Sequence, residues 1–374
     1  MKVDRRLFSL DILRGLDMFL LAVVGPFAAA LNSAISLPDC VVAQFHHAWG
    51  GFTLWDIIMP LFIFMSGAAV PFALGKRMES GRAGWAFWRH VLLRFAMLWI
   101  LGMVAQGRLL TMNPAVISPF NNTLQSIACG YLACALALQI PSRVVRASLP
   151  AVLAVLYALV LHFCGDYSAG GNAAAHFERW IVPYLTPDCS KVLDMADPGY
   201  TWWATIPMFA SMGLCGMLAT EILRSGAASL RSAVNLAVLG AGLLAFGWAL
   251  SPWIPPIKHI YTLTFTAQAM GWCMLALASL FYILDVLLAD SERLRKCLWL
   301  FTLFGRASLL AYLCEGVFRP VFKAFGGIFA PAGAHLLGER WVPMVVWFFA
   351  SLLLVLVLHV RIKLHVIQAD SSGR

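Results

Sequence analysis

The chain is built from long apolar stretches that contain few charges, and these stretches limit its fold more than any other feature. A helix needs about 20 mainly apolar residues to cross a hydrocarbon layer about 30 Å thick. Such stretches recur at residues 16–31, 57–74, 91–104, 124–140, 149–163, 203–223, 233–250, 263–284, 298–317 and 343–360. Only 12% of the 374 residues are charged, about half the usual share of a globular domain. This excludes an ordinary soluble domain.

The apolar stretches lack the alternation of polar and apolar residues that a membrane β-barrel strand requires. Helices satisfy their own backbone hydrogen bonds and are then the remaining way to span a bilayer. We therefore expect an all-α, polytopic transmembrane helix bundle of about ten helices. No internal repeat or soluble segment divides the chain, so residues 1–374 are expected to form a single transmembrane domain.

Lysine and arginine positions predict the orientation, because cytoplasmic loops carry an excess of both. Every second loop is basic, and the opposite loops carry only Arg108, Arg179, Lys191, Lys258, Lys323 and Arg340. The basic side holds Lys2, Arg5, Arg6, Arg14, Lys76, Arg77, Arg82, Arg89, Arg143, Arg146, Arg224, Arg231, Arg293, Arg295, Lys296, Arg361, Lys363 and Arg374. Both termini are therefore expected in the cytoplasm. The net charge of +9 is interpreted as a topology signal, and no nucleic-acid partner is expected.

Two further features have simple readings. The apolar run before residue 31 is long, so we expect a retained first helix rather than a cleaved signal peptide. The nine cysteines show no metal-ligand spacing, and no metal site is predicted. Cys40 and Cys189 lie in predicted outside loops, where a disulfide would persist; the sequence does not fix the distance between them.

Ionisable groups in or beside membrane spans are costly and often functional. The candidates are Asp17, His46, His47, Asp56, Arg94, Glu315 and Arg319. Glu315 and Arg319 are four residues apart, so we expect them to neutralise each other.

The richest polar cluster runs from His46 to Asp56, just before the second predicted span. Thr53 and Asp56 have the spacing of a helix capping box, with Asp in place of Glu. Asp56 is thus equally a cap and a catalytic candidate. His46 and His47 have no capping task, and a solvent-exposed imidazole can act as a general base near neutral pH.

Two sequence motifs and three weaker ones resemble the heparan-α-glucosaminide N-acetyltransferase family and its bacterial relatives. The two specific motifs are Arg6-x-x-Ser9-Leu10-Asp11-x-Leu13-Arg14-Gly15 and His46-x-x-Trp49-x-Gly51-Phe52-Thr53-x-x-Asp56-x-x-x-Pro60-x-Phe62-x-Phe64-x-x-Gly67. The weaker ones are Asn122-x-Leu124-Gln125-x-Ile127-x-x-x-Tyr131, then Asp197-Pro198-Gly199 with Thr205-Ile206-Pro207, and finally Pro256-Ile257-Lys258. They follow the family's order from Arg6 to about Tyr312.

The resemblance implies a membrane acyltransferase that takes an acyl group, with acetyl expected, from cytoplasmic acetyl-CoA to a sugar or glycan acceptor outside. His46 matches the family's catalytic histidine, since it stands three residues before Trp49. His47 does not match and is expected to be a neighbour or substitute. Gln125, in the Leu-Gln-x-Ile motif, is an expected donor contact. The site is expected to open to the periplasm of a bacterial cytoplasmic membrane.

Two positions depart from the family pattern. Gly25 stands where mammalian members have an asparagine near the outer end of the first helix, and Gly305-Arg306-Ala307 stands where Gly-x-Asn is common. Gly15-Leu16-Asp17-Met18-Phe19 is closer to the Gly-Phe-Asp-Met-Phe of the bacterial branch. These departures leave the identity of the acceptor open.

In the expected mechanism His46 removes a proton from the acceptor as it attacks the thioester, and Asp56 orients the imidazole. Arg14 and Arg94 are expected to contact the donor's phosphates, because a guanidinium group offers two parallel contacts to phosphate oxygens. Each is equally well explained as a cytoplasmic topology anchor. A passage from the cytoplasm, bordered by one of these arginines, would end at His46. An acyl-histidine intermediate stays open, as does association of two copies in a homodimer.

Two other classes of function remain as alternatives. A transporter or flippase of a sugar or lipid-linked substrate also needs intramembrane charges, although it often shows inverted repeats. A scaffold subunit is the weaker alternative, since it leaves the cluster from His46 to Pro60 without a role.

Overall fold

A computed structural model describes residues 7–75, 84–113, 117–185, 199, 201–225 and 228–372, without the side chains of 365–372. The described α-helices, in chain order, are α1 (Phe8–Phe19), α2 (Gly25–Ile35), α3 (Asp39–Val42), α4 (Ile58–Ala73), α5 (Trp85–Ala105), α6 (Thr123–Ala137), α7 (Arg143–Phe163), α8 (Ala173–Leu185), α9 (Ile206–Leu223), α10 (Leu230–Leu250), α11 (Leu263–Phe281), α12 (Glu292–Cys297), α13 (Trp299–Arg306), α14 (Ser308–Gly316), α15 (Arg319–Gly327), α16 (Ala330–Leu337) and α17 (Val342–Ser372).

The described chain is helical and contains no strand, so the all-α polytopic membrane fold is confirmed. Eight helical segments among the described residues are long and apolar enough to cross a bilayer. They are Phe8–Ile35, Leu54–Ala73, Trp85–Ala105, Arg143–Phe163, Trp203–Leu223, Leu230–Leu250, Leu263–Leu287 and Glu339–Leu364. Each overlaps one of the predicted spans.

The other two predicted spans differ from the expectation. Residues 124–140 correspond to α6, which has only 15 residues, too few for a full perpendicular span at 1.5 Å per residue. Residues 298–317 were predicted as one helix, but the helix is interrupted at Ala307, which separates α13 from α14. The orientation of the termini stays a prediction.

Some of the predictions fall on residues outside the described ranges. These residues are Lys2, Arg5, Arg6, Lys76, Arg77, Arg82, Cys189, Lys191, Asp197, Pro198 and Arg374.

The described helices belong to two compact units. The first unit contains His47–Phe52 and Met59–Leu287, and therefore nearly all of α4 and the whole of α5 to α11. Its core includes Val70, Phe87, Tyr131 and Met217, from four different helices. The backbones of α4 and α9 approach closely: a Cβ on Gly67 would lie 1.8 Å from the carbonyl oxygen of Gly213.

The second unit contains Leu7–His46, Thr53–Ile58 and Leu288–Arg374. A π-helical turn at Leu20–Val24 joins α1 to α2 in one continuous segment. Helix α1 packs on α13 through glycines: a Cβ on Gly15 would lie 1.8 Å from the carbonyl oxygen of Phe301. Close backbone approach through small residues is typical of helix packing in membranes. The expectation of a single domain is not tested by this division and stays a prediction.

Side chains at several helix starts accept backbone hydrogen bonds, as capping residues do. Asn122 accepts from the Leu124 N–H at α6, and Ser142 accepts from the Val145 N–H at α7. Serines cap α10 and α12 in the same way. These caps explain why α6 and α7 begin at Thr123 and Arg143.

Candidate functional site

His46 ends a short 3₁₀ turn that follows α3, and its side chain is exposed. Its imidazole Nδ1 lies 3.0 Å from the backbone carbonyl oxygen of Val42. A carbonyl oxygen only accepts, so we assign the proton to Nδ1. The second ring nitrogen, Nε2, then carries a lone pair and can accept a proton from a substrate. A backbone carbonyl thus contacts the imidazole, and the orienting role expected of Asp56 stays a prediction.

Asp56 is buried and forms the capping box that the sequence predicts. Its Oδ2 accepts hydrogen bonds of 2.9 Å from both the backbone N–H and the hydroxyl of Thr53. Thr53 Oγ1 also lies 3.3 Å from the carbonyl oxygen of His46. The capping role of Asp56 is therefore confirmed. Through Thr53, it also fixes the backbone on the C-terminal side of His46.

The backbone around His46 is held by two more contacts within the second unit. Gln44 Oε1 accepts a hydrogen bond of 3.1 Å from the Leu54 N–H. The rings of Phe45 and Trp55 pack with centroids 5.4 Å apart. Both contacts join the turn before His46 to the turn after Thr53. They therefore fix the two ends of the loop that contains His46.

His47 belongs to the first unit, where the segment His47–Phe52 lies along the turn between α10 and α11. Nζ of Lys258 lies 3.1 Å from Nδ1 and 3.2 Å from Nε2 of His47. Lys258 is buried, with 3% of its surface exposed. A lysine side chain donates hydrogen bonds, so a ring nitrogen of His47 accepts in this contact.

The same turn makes two further contacts with this segment. The rings of Trp49 and His259 stack with centroids 5.0 Å apart, and the Gly51 N–H donates to the Pro256 carbonyl over 2.9 Å. Trp49 Nε1 also donates to the carbonyl oxygen of Tyr167 over 2.9 Å. The motif that contains Trp49 is thus anchored to two other loops of its unit.

The turn that holds Lys258 is itself strained. Tyr261 is buried and has a φ of 47°, a left-handed conformation that is uncommon for a bulky side chain. Such outliers cost of order 1–3 kcal/mol and concentrate at functional sites. Thr262 braces the turn, since its Oγ1 donates to the Pro255 carbonyl over 2.9 Å and accepts from the Ile257 N–H over 3.0 Å.

The residues expected to bind the donor make local contacts. Arg14 pairs loosely with Asp11 over 3.9 Å within the second unit. Arg94 is exposed in the first unit, and its guanidinium lies 4.7 Å from the ring centroid of Tyr131. Gln125 is buried; its Nε2 donates to the Pro119 carbonyl over 2.6 Å, and its Oε1 accepts from the Asn121 N–H over 2.9 Å. Both ends of the Gln125 amide therefore fix the loop before α6.

Two buried carboxyl groups in the described structure have very different surroundings. Among the described residues, neither carboxyl oxygen of Asp17 has a hydrogen-bond partner, although α1 buries it completely. Glu178, on α8, accepts a hydrogen bond from the Trp203 N–H at the start of the segment that leads into α9. Burial raises the pKa of Glu178 to about 7 against the opposing effect of the backbone N–H groups of Trp203 and Ala204.

The expected pairing of Glu315 with Arg319 is confirmed, with 3.3 Å between Oε1 and Nη1. The pair does not lie on one helix, because α14 ends at Gly316 and α15 begins at Arg319. Cys40 is exposed and has no disulfide partner among the described residues, whereas Cys189 lies outside them.

Sequence reasoning did not include Lys258, His259 or Glu178 among the site residues. Lys258 appeared only in the weak Pro256-Ile257-Lys258 motif and as a cation of an outside loop. The signal for Lys258 was its charge next to two prolines in a chain with few charges. Glu178 had no comparable signal, because it lay in a segment predicted to be a loop.

One family model matches the chain: a domain of unknown function (DUF5009) matches residues 6–178. The match includes both specific motifs and Gln125 but stops before the turn that holds Lys258. No curated protein matches the chain. The match spans less than half of the chain and assigns no activity to it.

Proposed function

We propose that this protein is a membrane acyltransferase that moves an acyl group, with acetyl expected, from cytoplasmic acyl-CoA to a sugar amine or hydroxyl on the other side of the membrane. The proposal rests on the exposed imidazole of His46. Its Nδ1 lies 3.0 Å from the carbonyl oxygen of Val42, so Nε2 is the proposed proton acceptor. The motif resemblance supports the reaction class and selects His46 over His47.

In the proposed reaction the acceptor nitrogen or oxygen attacks the thioester carbonyl carbon while Nε2 of His46 takes its proton. The new bond to the acyl carbon forms as the carbon–sulfur bond breaks. Coenzyme A leaves as a thiolate and receives the proton from the imidazolium. The products are an acylated sugar and the coenzyme A thiol, with His46 neutral again.

Two arginines are proposed to contact the donor's phosphates. Arg94 is exposed, and the ion pair of Arg14 with Asp11 is long at 3.9 Å, which supports phosphate oxygens as partners of either side chain. Gln125 is less suited, since both ends of its amide bind the backbone of its own loop.

A structure of the purified protein with bound coenzyme A tests this proposal. We expect density for the nucleotide beside Arg14 or Arg94 and a thiol end directed toward the loop that carries His46. His46→Ala should keep coenzyme A binding and lose transfer. A thiol end directed away from His46, or unchanged transfer by His46→Ala, would contradict the proposed role.

A transporter or flippase is the second candidate, and Asp17 is the observation that favours it. A carboxyl group buried in a spanning helix is a typical proton or ion carrier in transporters. A proton-driven uptake assay in proteoliposomes distinguishes the two functions. A transporter requires Asp17 for uptake, so Asp17→Asn would abolish it, whereas the acyltransferase predicts no uptake by the wild type.

A further inference from the structure

Helix α8 carries an aromatic face that no described part of the protein covers. Phe177, Trp180 and Tyr184 are 40%, 59% and 77% exposed. Their spacing of three and four residues places them on one side of the helix, with ring centroids 5.6 and 6.1 Å apart along the row. The opposite side is buried and holds Ala174 and Val182.

The described part of this helix is too short to cross a bilayer, since its 13 residues span only about 20 Å at 1.5 Å per residue. Tryptophan and tyrosine concentrate where hydrocarbon meets the headgroups. An amphipathic helix with such a face lies in the plane of that interface. We therefore place α8 at headgroup depth, with its aromatic face toward lipid.

An apolar groove of about 420 Å³ lies between α7, α8 and the start of α9. Its walls include Leu156 and Val160 on α7, Ala174 on α8, and Ala204 and Pro207 at the start of α9. The groove thus has apolar side chains on every wall, and its volume suits a hydrocarbon chain.

The groove opens on the side of the protein that faces lipid. Helix α7 is one of the apolar spans, so its exposed apolar side chains contact hydrocarbon. Leu156 and Val160 are 56% and 52% exposed and also line the groove. The lipid-facing surface of α7 therefore continues into the groove, and a chain from the bilayer can enter it sideways.

The cationic side chain of Arg179 lies beside the groove, in contact with the lining residue His176. His176 lines the groove, and its Nδ1 lies 3.1 Å from Nη2 of Arg179, which also donates to the Gly170 carbonyl over 2.7 Å. Because arginine only donates, His176 Nδ1 accepts, and Nε2 donates to the Gly171 carbonyl over 3.2 Å. The nearby carboxylate of Asp166 accepts hydrogen bonds from Ser168. Arg179 is exposed, so a lipid headgroup can reach its guanidinium.

We infer that the groove between α7 and α8 binds an acyl chain of an anionic phospholipid, with the lipid phosphate at Arg179. The apolar walls bind the chain, and the aromatic face of α8 keeps the helix at the depth where a phosphate lies. This lipid site goes beyond the proposed acyl transfer and does not depend on it.

Native mass spectrometry of the delipidated protein, back-titrated with phosphatidylglycerol or phosphatidylcholine of equal chain length, tests the inference. One arginine near the membrane surface strengthens binding of an anionic lipid by about five-fold. We expect that preference in the wild type. Arg179→Gln should keep lipid binding and reduce the ratio of the two affinities to about one.

Val160→Trp fills the groove from its exposed wall and should lose one bound lipid. Leu159→Trp is the matched control, because Leu159 is its exposed neighbour on α7 and does not line the groove. If Val160→Trp does not purify, Leu156→Trp replaces it with the same expected loss. Equal lipid retention by the groove-filling variant and Leu159→Trp, or equal wild-type affinity for the two lipids, would overturn the inference.

Discussion

Nδ1 of His46 lies 3.0 Å from the carbonyl oxygen of Val42, one helical turn earlier in the chain. The contact fixes the tautomer of an exposed imidazole without a carboxylate. It leaves Nε2 as a proton acceptor at the surface of the loop. The neighbouring His47 is held differently, by the ammonium group of Lys258.

The first prediction separates these two histidines. His46→Ala should lower turnover by at least about 10², the usual contribution of a positioned general base. His47→Ala should have a much smaller effect, and rates of acetyl transfer under saturating substrates measure both. If the two variants lose activity equally, the assignment of the base to His46 is wrong.

The second prediction concerns topology. With the exposed native cysteines Cys40, Cys164 and Cys297 and Cys189 of the predicted outside loop replaced by serine, Ser225→Cys should react only with reagents that reach the cytoplasm. Asp39→Cys, at an exposed position of the segment after α2, should react from the outside. We expect Gly81→Cys, outside the described residues, to behave like Ser225→Cys.

Asp39 is a better outside reporter than Ala173, which belongs to the predicted outside loop that contains Arg179 but which the structure buries at the start of α8. Labelling of Ser225→Cys by an impermeant reagent added outside intact cells would contradict the predicted orientation.

The third prediction tests the close contact of α4 with α9. Gly67→Ala should destabilise the protein by a few kcal/mol, because its Cβ would lie 1.8 Å from the Gly213 carbonyl oxygen and overpacking typically costs ~1–3 kcal/mol. Gly242→Ala is the control, since it lies in α10 with no heavy atom within 4 Å of its Cβ. It should be neutral or slightly stabilising. Equal melting temperatures for the two variants would show that the helices are not in such close contact.

The fourth prediction is a pH dependence of stability from Glu178. Its pKa rises from 4.5 in a solvent-exposed state to about 7 in the fold because it is buried. Between these values the folded protein binds more protons than the unfolded chain, so the contribution of Glu178 to stability falls as the pH rises. At about 1.4 kcal/mol per pKa unit, the loss reaches at most ~3 kcal/mol above pH 7.

Melting temperatures of the wild type and Glu178→Gln, measured in detergent from pH 4.5 to 8, test this contribution. The glutamine keeps an oxygen for the Trp203 N–H but does not titrate. The difference between wild type and Glu178→Gln should therefore move in favour of the variant as the pH rises. Glu339→Gln, at an exposed turn, should follow the wild type; a constant difference between wild type and Glu178→Gln would refute the shifted pKa.

Hydropathy alone located the eight long spans, because lipid exposure requires apolar side chains along the whole helix. It did not locate the break at Ala307, since an apolar run gives no signal of where its backbone changes direction. It also missed α8, whose mean hydropathy is lowered by the charged residues Glu178 and Arg179. Local backbone geometry and amphipathic surface helices lie outside what a window of hydropathy measures.

The part of the candidate site that depends on residues close together in the chain could be predicted from the sequence. The capping box of Thr53 and Asp56 depends on residues three apart, and spacing alone revealed it. The contact of His47 with Lys258 joins residues 211 positions apart, which one sequence cannot bring together. The Val42 contact of His46 depends on the 3₁₀ turn before it, which has no distinctive residue pattern.

Acyl transfer across the membrane is the central claim, and sealed vesicles of known orientation test it most directly. Acetyl-CoA is supplied only on the cytoplasmic face, and an impermeant amino sugar only on the opposite face. The proposal predicts acetylated sugar on the far side with the wild type and at least about 10²-fold less with His46→Ala. Product that forms only when acetyl-CoA and the sugar share one side of the membrane would contradict it.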